Sequence, residues 1–150
     1  MIYLDSSVIV SMAVGNNKIA KAAWIHLKSA KQLVSSEISV VECQAGVSSQ
    51  LANRVAGTSP LAEQNLNRIL AGLHLLSIGS HVLGHARALV KQYRISVGLR
   101  SMDAIHLATA NILQQAETSR KTGARVLFLT SDRKQFEAFS AEGHIGHLLN

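Results

Sequence analysis

The sequence predicts an α/β fold, in which helices cover both faces of a parallel sheet, and three observations favour this class. Short apolar segments alternate with amphipathic segments along the chain, which is typical of parallel strands joined by helices. Residues 125–130, Arg-Val-Leu-Phe-Leu-Thr, form the continuous apolar run expected of a strand that is buried on both faces. The 150 residues, of which 47% are hydrophobic and 16% charged, are enough for one domain with its own core. We therefore expect a single domain over residues 1–150.

Five short segments have the β-branched, aliphatic or aromatic composition of strands. They lie at 2–5, 32–34, 74–78, 125–130 and 144–146. The first ends in Asp5, and the small polar pair Ser6-Ser7 that follows favours a turn into a helix. The later strands follow segments with helical periodicity, as crossovers between parallel strands require.

Seven segments place apolar residues at the helical spacing of three and four positions. They lie at 8–14, 18–30, 37–54, 61–70, 81–93, 101–117 and in the segment opened by Asp132. Ser35-Ser36 is predicted to cap the third helix, whose apolar stripe contains Ile38, Val41, Ala45, Ser48, Leu51 and Val55. Loops are expected at 15–17 and 57–60, and Pro60 suits the first turn of the next helix. The sixth helix is expected to bury Met102, Ile105, Ala108, Ile112 and Leu113.

The charge and cysteine content limit the partners and the compartment to be expected. Fifteen Lys and Arg against nine Asp and Glu give a net charge of +6 and a pI near 9.9. A basic surface favours polyanions such as nucleic acid, although the same charge also serves solubility. The single cysteine, Cys43, excludes an internal disulfide, and we expect it to be a small buried hydrophobe. With no membrane-spanning apolar run and no basic start typical of a secretory signal, a cytoplasmic protein is expected.

Aspartate is rare in the chain, and its three copies lie at strand ends or helix starts. Asp5 ends the first strand, Asp132 follows the strand at 125–130, and Asp103 lies in the first turn of its helix. Glu42 lies in the second turn of the helix after the second strand. Because ligands of open parallel sheets bind at the carboxyl ends of the strands, we expect these four acids to converge on one crevice.

Four neighbouring carboxylates repel one another, and a divalent cation would offset their charge. Oxygen ligands without a cysteine cluster or a histidine pair favour Mg²⁺ or Mn²⁺ over Zn²⁺. Such an ion activates water and stabilises a phosphodiester under attack, so a basic protein with this crevice suits phosphodiester hydrolysis. Taken singly, Asp132 also suits a helix N-cap, Asp103 a charge at a helix N-terminus and Glu42 an acid on a helix surface.

Around these acids the sequence resembles the PIN-domain ribonucleases, and in particular the VapC-type toxins of toxin–antitoxin pairs. The matching segments are Tyr3-Leu4-Asp5-Ser6-Ser7, Ser35-Ser36 followed by Val41-Glu42, the stretch from Leu99 to Ala110, and Phe128-Leu129-Thr130-Ser131-Asp132. They run in the family's order over nearly the whole chain, and the third is the most specific. The Asp-Ser-Ser of the first is a mild departure from the usual pattern, and Glu37 competes with Glu42 for the second acid.

The resemblance implies a PIN-like three-layer sandwich around a five-stranded parallel sheet of order 3-2-1-4-5. It also implies a Mg²⁺- or Mn²⁺-dependent endoribonuclease that acts on RNA, forms a homodimer and is inhibited by a VapB-type antitoxin. By matching motif, the catalytic and metal-site acids are Asp5, Glu42, Asp103 and Asp132. We expect the antitoxin to anchor in apolar grooves between helices 18–30 and 37–54 and to bring an Arg or Lys to the acids.

Polar residues beside the acids are candidates for supporting them or contacting the substrate. Ser6 and Thr130 could hydrogen-bond to Asp5 and Asp132, although Ser6 also suits a helix cap. His106, three residues after Asp103, is more typical of a hydrogen-bonded structural histidine than of a general acid. Either of the arginines that flank the acids could hold a phosphate or offset the negative charge: Arg100 and Arg133.

Two other functions stay open on the sequence alone. The same fold could be a catalytically silent module that binds RNA or an antitoxin. A phosphatase-like hydrolase could use Asp5 as a covalent nucleophile, but Ser7 stands where such enzymes commonly keep a second acid.

Overall fold

The computed structural model describes residues 1–15, 17–121, 123 and 125–150, and these form five strands and seven helices. The strands are β1 (Ile2–Leu4), β2 (Leu33–Ser36), β3 (His74–Leu76), β4 (Leu127–Thr130) and β5 (Gly146–Leu148). The helices are α1 (Ser6–Val14), α2 (Lys18–Leu27), α3 (Ile38–Ala52), α4 (Ala62–Ala71), α5 (Ser80–Tyr93), α6 (Ser101–Ser119) and α7 (Arg133–Ala141). The loop predicted at 15–17 includes Asn16, which lies outside the described residues.

The five strands are all parallel and lie in the order β3-β2-β1-β4-β5, which confirms the predicted sheet. β1 is central: Tyr3 pairs with Val34 of β2 on one side and with Phe128 of β4 on the other. Parallel strands end at the same edge of a sheet. At that edge Asp5 follows β1 and caps α1, and Asp132 follows β4 and caps α7.

Two apolar clusters lie on opposite faces of the sheet and give the three-layer sandwich. Ile2 and Leu4 belong to one cluster and Tyr3 to the other, because alternate residues of a strand point to opposite faces. The first cluster is completed by α1 to α4 and the second by α5, α6 and α7. Cys43 is buried in the first cluster, as predicted.

The start and the buried face of α3 differ from the prediction. Ser35 and Ser36 belong to β2 instead of capping the helix, because pairing with β3 continues to Ser36 and Leu76. α3 buries Ser39, Cys43 and Val47, whereas the predicted stripe residues Val41 and Val55 are exposed. The small residues let α3 approach α1 closely: a Cβ added to Gly46 would lie 2.9 Å from Val10 Cγ2. Close packing therefore selected this face over the larger apolar stripe.

The buried residues of α6 also differ in part from the prediction. The helix packs against both α5 and β2, and it buries Ala104 and every residue from His106 to Asn111. Of the predicted inward residues, Ala108 is buried but Met102 is exposed. A consecutive buried run has no helical periodicity, so an amphipathic pattern could not identify it.

Several boundaries shift by one to three residues; for example, β3 ends at Leu76 and not at residue 78, and β4 begins at Leu127 and not at residue 125. α2 ends at Leu27, before the predicted end at residue 30, and β5 lies at Gly146–Leu148, after the predicted 144–146. Gly146 pairs with Phe128, and a Cβ added to it would lie 3.4 Å from the rings of Phe136 and Phe139. Among the helices of the described chain, none combines the length and the apolar character that crossing a membrane requires.

Candidate functional site

Asp5 lies where β1 ends and α1 begins, and it is almost completely buried, at 3% exposure. Its Oδ2 accepts hydrogen bonds from the Ser7 amide, the Ser7 hydroxyl and the Thr130 hydroxyl, the last at 3.1 Å. Its Oδ1 accepts no hydrogen bond within the described residues and lies 3.8 Å from His106 Nε2. One carboxylate oxygen of Asp5 is therefore held by its neighbours, and the other is open to a ligand.

Thr130, the last residue of β4, connects the aspartates. Its hydroxyl donates to Asp5 or to Gln135 Oε1, each at 3.1 Å, and accepts from the Asp132 amide at 2.9 Å. The side-chain amide of Gln135 in turn donates through Nε2 to Asp103 Oδ1 at 3.1 Å. Thr130 and Gln135 are both buried, so Asp5 and Asp103 are connected beneath the surface through these two side chains, with the single Thr130 hydrogen shared between Asp5 and Gln135.

Asp132 occupies the N-cap position of α7, which is the alternative role that the sequence predicts for it. Its Oδ1 accepts from the amides of Lys134 (2.7 Å) and Gln135 (3.1 Å). Its Oδ2 accepts no hydrogen bond from the residues that the structure describes. A capping role uses only one oxygen, so Asp132 can cap α7 and still offer the other oxygen to a ligand.

Asp103 lies in the first turn of α6, and the charges of the other aspartates reach it. Its Oδ2 accepts from the Arg100 amide at 3.1 Å. Burial raises the pKa of Asp103, and the negative charges of Asp132 and Asp5 raise it further, against the hydrogen bonds from Arg100 and Gln135. Three carboxylates from α1, α6 and α7 therefore repel one another at this edge.

Glu42 lies on α3, on the other side of Asp5. Its Oε2 accepts from the Ser6 hydroxyl at 2.6 Å and lies 2.7 Å from His106 Nε2. Burial acts to raise the pKa of Glu42, but the hydrogen bonds from His106 and Ser6 outweigh it and hold the pKa below its ordinary value. The competing acid, Glu37, instead binds the Ser77 hydroxyl and the Ile78 amide in the loop after β3.

His106 is a buried link between the core and Glu42. Its Nδ1 lies 2.9 Å from the hydroxyl of Tyr3, and its Nε2 contacts Glu42 and Ser6. Burial acts to lower the pKa of His106, but the hydrogen bond to Glu42 and the charges of Asp5, Glu42 and Asp103 raise it above its ordinary value. Burial and the charge of Asp5 raise the pKa of Tyr3 well above its ordinary value, so the phenol keeps its proton.

The two arginines proposed beside the acids do not contact them through their side chains in the described structure. Arg133 pairs with Glu137 on the surface of α7, with Nε 2.8 Å from Oε1. Arg100 contributes its backbone amide to Asp103, and its residue is exposed. The Lys134 ammonium lies by the loop before α6, 3.2 Å from the position of a Cβ added to Gly98.

A divalent cation suits this set of oxygens, although no closed metal site is preformed. Among the described residues, no three His, Cys, Asp or Glu side chains are grouped closely enough to hold an ion. Asp5, Glu42 and Asp132 each keep one oxygen without a hydrogen bond from those residues. Mg²⁺ commonly keeps several waters and binds through one or two carboxylates, so these residues fit it better than they fit a tetrahedral zinc site.

Three residues of the site escaped the sequence analysis as candidates: Tyr3, Ser7 and Gln135. Gln135 stands three residues after the N-cap Asp132, which is a capping-box spacing, but its side chain binds Asp103 instead of turning back to the cap. Ser7 donates to Asp5 and accepts from the Ser131 amide at 3.2 Å. The spacing signalled Gln135 as a capping residue only, and its real partner lies on another helix.

The PIN domain family model matches residues 2–141, and the chain belongs to this family. None of the curated proteins compared with the chain matches it. Solved structures share the fold at low sequence identity. A toxin–antitoxin complex from Klebsiella pneumoniae matches at 19% identity and a TM-score of 0.62, over 91% of this chain and 90% of that chain. VapBC2 from Rickettsia felis, bound to a DNA fragment from their promoter, matches at 19% identity and a TM-score of 0.64, over 100% of this chain and 100% of that chain. FitAcB from Neisseria gonorrhoeae matches at 19% identity and a TM-score of 0.62, over 97% of this chain and 96% of that chain.

Proposed function

We propose that the protein is a Mg²⁺- or Mn²⁺-dependent endoribonuclease and the toxin of a type II toxin–antitoxin pair. It would hydrolyse RNA phosphodiester bonds, and its catalytic and metal-binding acids would be Asp5, Glu42, Asp103 and Asp132. Membership of the PIN domain family supports a nuclease, because members of this family are generally nucleases. The family alone does not assign the metal or the substrate to this chain, so the site has to support both.

The proposal rests on the placement of three aspartates at the carboxyl edge of the sheet: Thr130 contacts both Asp5 and the Asp132 amide, and the Gln135 side chain of α7 binds Asp103. In agreement with this placement, burial and the charges of Asp132 and Asp5 raise the pKa of Asp103. No Lys or Arg side chain forms an ion pair with these aspartates in the described structure. His106, 3.8 Å from Asp5, is the one cationic group of the described residues that pairs with these aspartates, so most of their like charge is left for an external divalent cation to offset.

The chain's own residues would orient the acids and leave room for the ion. Thr130 and Gln135 hold Asp5 and Asp103 from below, and Ser6 and His106 hold Glu42. Open oxygens of Asp5, Glu42 and Asp132 would bind the ion, which supplies an activated water and stabilises charge on the phosphate.

The positive net charge of the chain, +6, supports a polyanionic substrate. Two exposed cationic residues lie next to the acids, because the backbone amides of Arg100 and Lys134 bind the side chains of Asp103 and Asp132. Cations at the rim attract the RNA backbone, whereas the acids below repel it unless a divalent ion is bound. Binding and cleavage are therefore expected to respond differently to removal of the metal.

Likeness to solved toxin–antitoxin complexes supports a VapB-type antitoxin as the partner. Apolar grooves on the surface suit such a partner. One of about 500 Å³ lies between α3 and α4, beside exposed Val40 and Val41. Another of about 250 Å³ lies between α2 and α4, beside Trp24. These grooves run along α4 instead of between α2 and α3 as expected, because α4 packs against α1 and α3. A homodimer is proposed from the family resemblance.

An RNA cleavage assay tests the nuclease directly. The purified protein should cut a labelled structured RNA with Mg²⁺ or Mn²⁺ and stop when a chelator is added. Glu37→Gln is the matched control, since Glu37 is an acid near the same sheet edge whose side chain binds the β3–α5 loop instead. Cleavage that survives exhaustive chelation would contradict the metal-dependent site. RNA binding without any cleavage would favour the silent binding module.

Co-expression tests the toxin assignment separately. A short neighbouring gene for a small DNA-binding protein should relieve growth arrest caused by the nuclease, and the two proteins should co-purify. Light scattering on the chain alone measures whether it is the expected dimer. A nuclease that needs no such partner for growth would leave the enzyme in place and remove the toxin assignment.

A further inference from the structure

We infer that His106, held in place by Tyr3, is a positioning residue that fixes the carboxylate of Glu42 for metal binding. This inference rests on the proposed role of Glu42 as a metal-site acid. It adds His106 and Tyr3 to the four acids of the site, and it states which atom donates the hydrogen bond to Glu42.

The direction of the hydrogen bond to Glu42 follows from the chemistry of the two groups. An ionised carboxylate only accepts, so His106 Nε2, at 2.7 Å from Oε2, must carry the hydrogen. The same is true of the neutral Nε2–H ring and of the protonated ring, so the contact does not depend on the charge of His106. Ser6 donates to the same oxygen at 2.6 Å. Two donors thus hold Oε2, and Oε1 stays open.

The other side of the imidazole is fixed by the core. The Tyr3 hydroxyl oxygen lies 2.9 Å from Nδ1 of His106. The Tyr3 ring stacks on the ring of Phe128, with 5.3 Å between the ring centroids. Phe128 stacks on Phe139 of α7 at 4.5 Å. The support of His106 therefore runs through β1, β4 and α7, and packing prevents each ring from turning.

Burial separates the positioning groups from the group they position. His106 is 1% exposed and Tyr3 is 0% exposed, whereas the side chain of Glu42 is 25% exposed. Tyr3 and His106 therefore lie inside the protein, and only Glu42, the residue that they position, reaches solvent. Supporting residues of this kind orient a ligating group and raise its affinity for a metal, typically by about 10–100-fold.

Two substitutions at residue 106 separate positioning from packing. The amide nitrogen of glutamine occupies the place of Nε2, and that of asparagine the place of Nδ1, so His106→Gln keeps the donor to Glu42 and His106→Asn loses it. We expect His106→Asn to bind Mn²⁺ about 10–100-fold more weakly by calorimetry and His106→Gln to stay close to the wild type. Tyr3→Phe, which keeps the ring stack and removes one hydroxyl, should fall between them. His85→Asn is the control. His85 lies on α5, and its Nε2 is 3.3 Å from Nδ2 of Asn111, a residue on the same helix as His106 but away from the acids.

Cleavage kinetics give a second readout that a packing role would not change. In folded His106→Asn the Mg²⁺ concentration for half-maximal cleavage should rise, while the KM for RNA stays as in the wild type. Equal Mn²⁺ affinity in folded His106→Asn and wild type overturns the inference. If His106→Asn does not fold, wild-type affinity in Tyr3→Phe overturns it instead. If the wild type binds Mn²⁺ but cuts no RNA, the proposed nuclease activity is wrong, and the inference about His106 still holds. If the wild type binds no Mn²⁺, the inference is overturned.

Discussion

The two halves of the site treat their carboxylates in opposite ways. The aspartate half comprises Asp5, Asp103 and Asp132, and the glutamate half comprises Glu42 with Ser6 and His106. In the first, burial and the neighbouring negative charges raise the pKa of Asp103. In the second, hydrogen bonds from His106 and Ser6 outweigh burial and lower the pKa of Glu42. Negative charge is disfavoured on Asp103 and favoured on Glu42.

The difference lies in which donors the fold supplies. The glutamate half has an imidazole and a hydroxyl on one carboxylate oxygen, so the protein itself offsets the charge of Glu42. The aspartate half has only neutral donors, among them Thr130 and Gln135. On the proposed function, a bound cation would offset the charge of the aspartate half. The protein itself offsets the charge of Glu42 but not that of Asp103.

The largest effect is expected from removing one charge of the aspartate half. Asp103→Asn keeps the shape of the side chain and should lower RNA cleavage by about 100-fold or more, which is typical of losing one group that stabilises charge in a transition state. Initial rates at saturating Mg²⁺ measure it. Cleavage near the wild-type rate would show that Asp103 serves only α6.

Adding metal should stabilise the protein through the aspartate half. A cation that binds only the folded state contributes about 2.7 kcal/mol at 100 times its Kd. We therefore expect Mn²⁺ to raise the Tm of the wild type more than that of Asp103→Asn, because the variant keeps the open oxygens of Asp5, Glu42 and Asp132 but lacks one negative charge beside the ion. Differential scanning calorimetry with and without chelator measures both. Equal metal-induced shifts in the two proteins would place the ion elsewhere.

Thr130→Val should break the connection inside the aspartate half while preserving the shape of the side chain. It leaves the Asp132 amide and Asp5 Oδ2 each without one partner, and an unpaired buried polar group costs about 1–3 kcal/mol. Chemical denaturation measures the loss of unfolding free energy. A control variant, Thr118→Val, which loses an exposed bond to a carbonyl of its own helix, should cost less. Equal losses would argue against a special role for Thr130.

The pH dependence should have opposite signs in the two halves. Asp103 has a raised pKa, so its charge destabilises the metal-free fold above the folded pKa, and this cost disappears as the pH falls towards the ordinary value of 3.8. Glu42 has a lowered pKa, so its charge stabilises the fold above the ordinary value of 4.5, and this gain is lost as the pH falls through the folded pKa. We therefore expect the Tm of Asp103→Asn to lie above that of the wild type at neutral pH and the Tm of Glu42→Gln to lie below it. As the pH falls, both differences from the wild type should shrink. Two variants whose Tm lies on the same side of the wild type would contradict the contrast.

The sequence predicts the position of a residue best where that position depends on the end of a strand. Asp5 and Asp132 follow buried parallel strands, and that alone puts them at one edge of the sheet. The prediction fails where close packing decides: α3 turns its small residues inward because Gly46 meets Val10. It does not give the partner of His106, because Tyr3 lies 103 residues away in the chain. Long-range side-chain contacts leave no local periodicity to detect.

The melting temperatures of metal-free Asp103→Asn and Glu42→Gln at neutral pH test the contrast between the two halves most directly. Asp103→Asn should match or exceed the Tm of the wild type, because it removes a charge that the fold disfavours. Glu42→Gln should lose about 1–2 kcal/mol of unfolding free energy, which lowers the Tm by roughly 2–8 °C, because it weakens two hydrogen bonds to a charged group. A loss of Tm in Asp103→Asn as large as that in Glu42→Gln would show that both carboxylates are structural and would contradict a site that depends on metal.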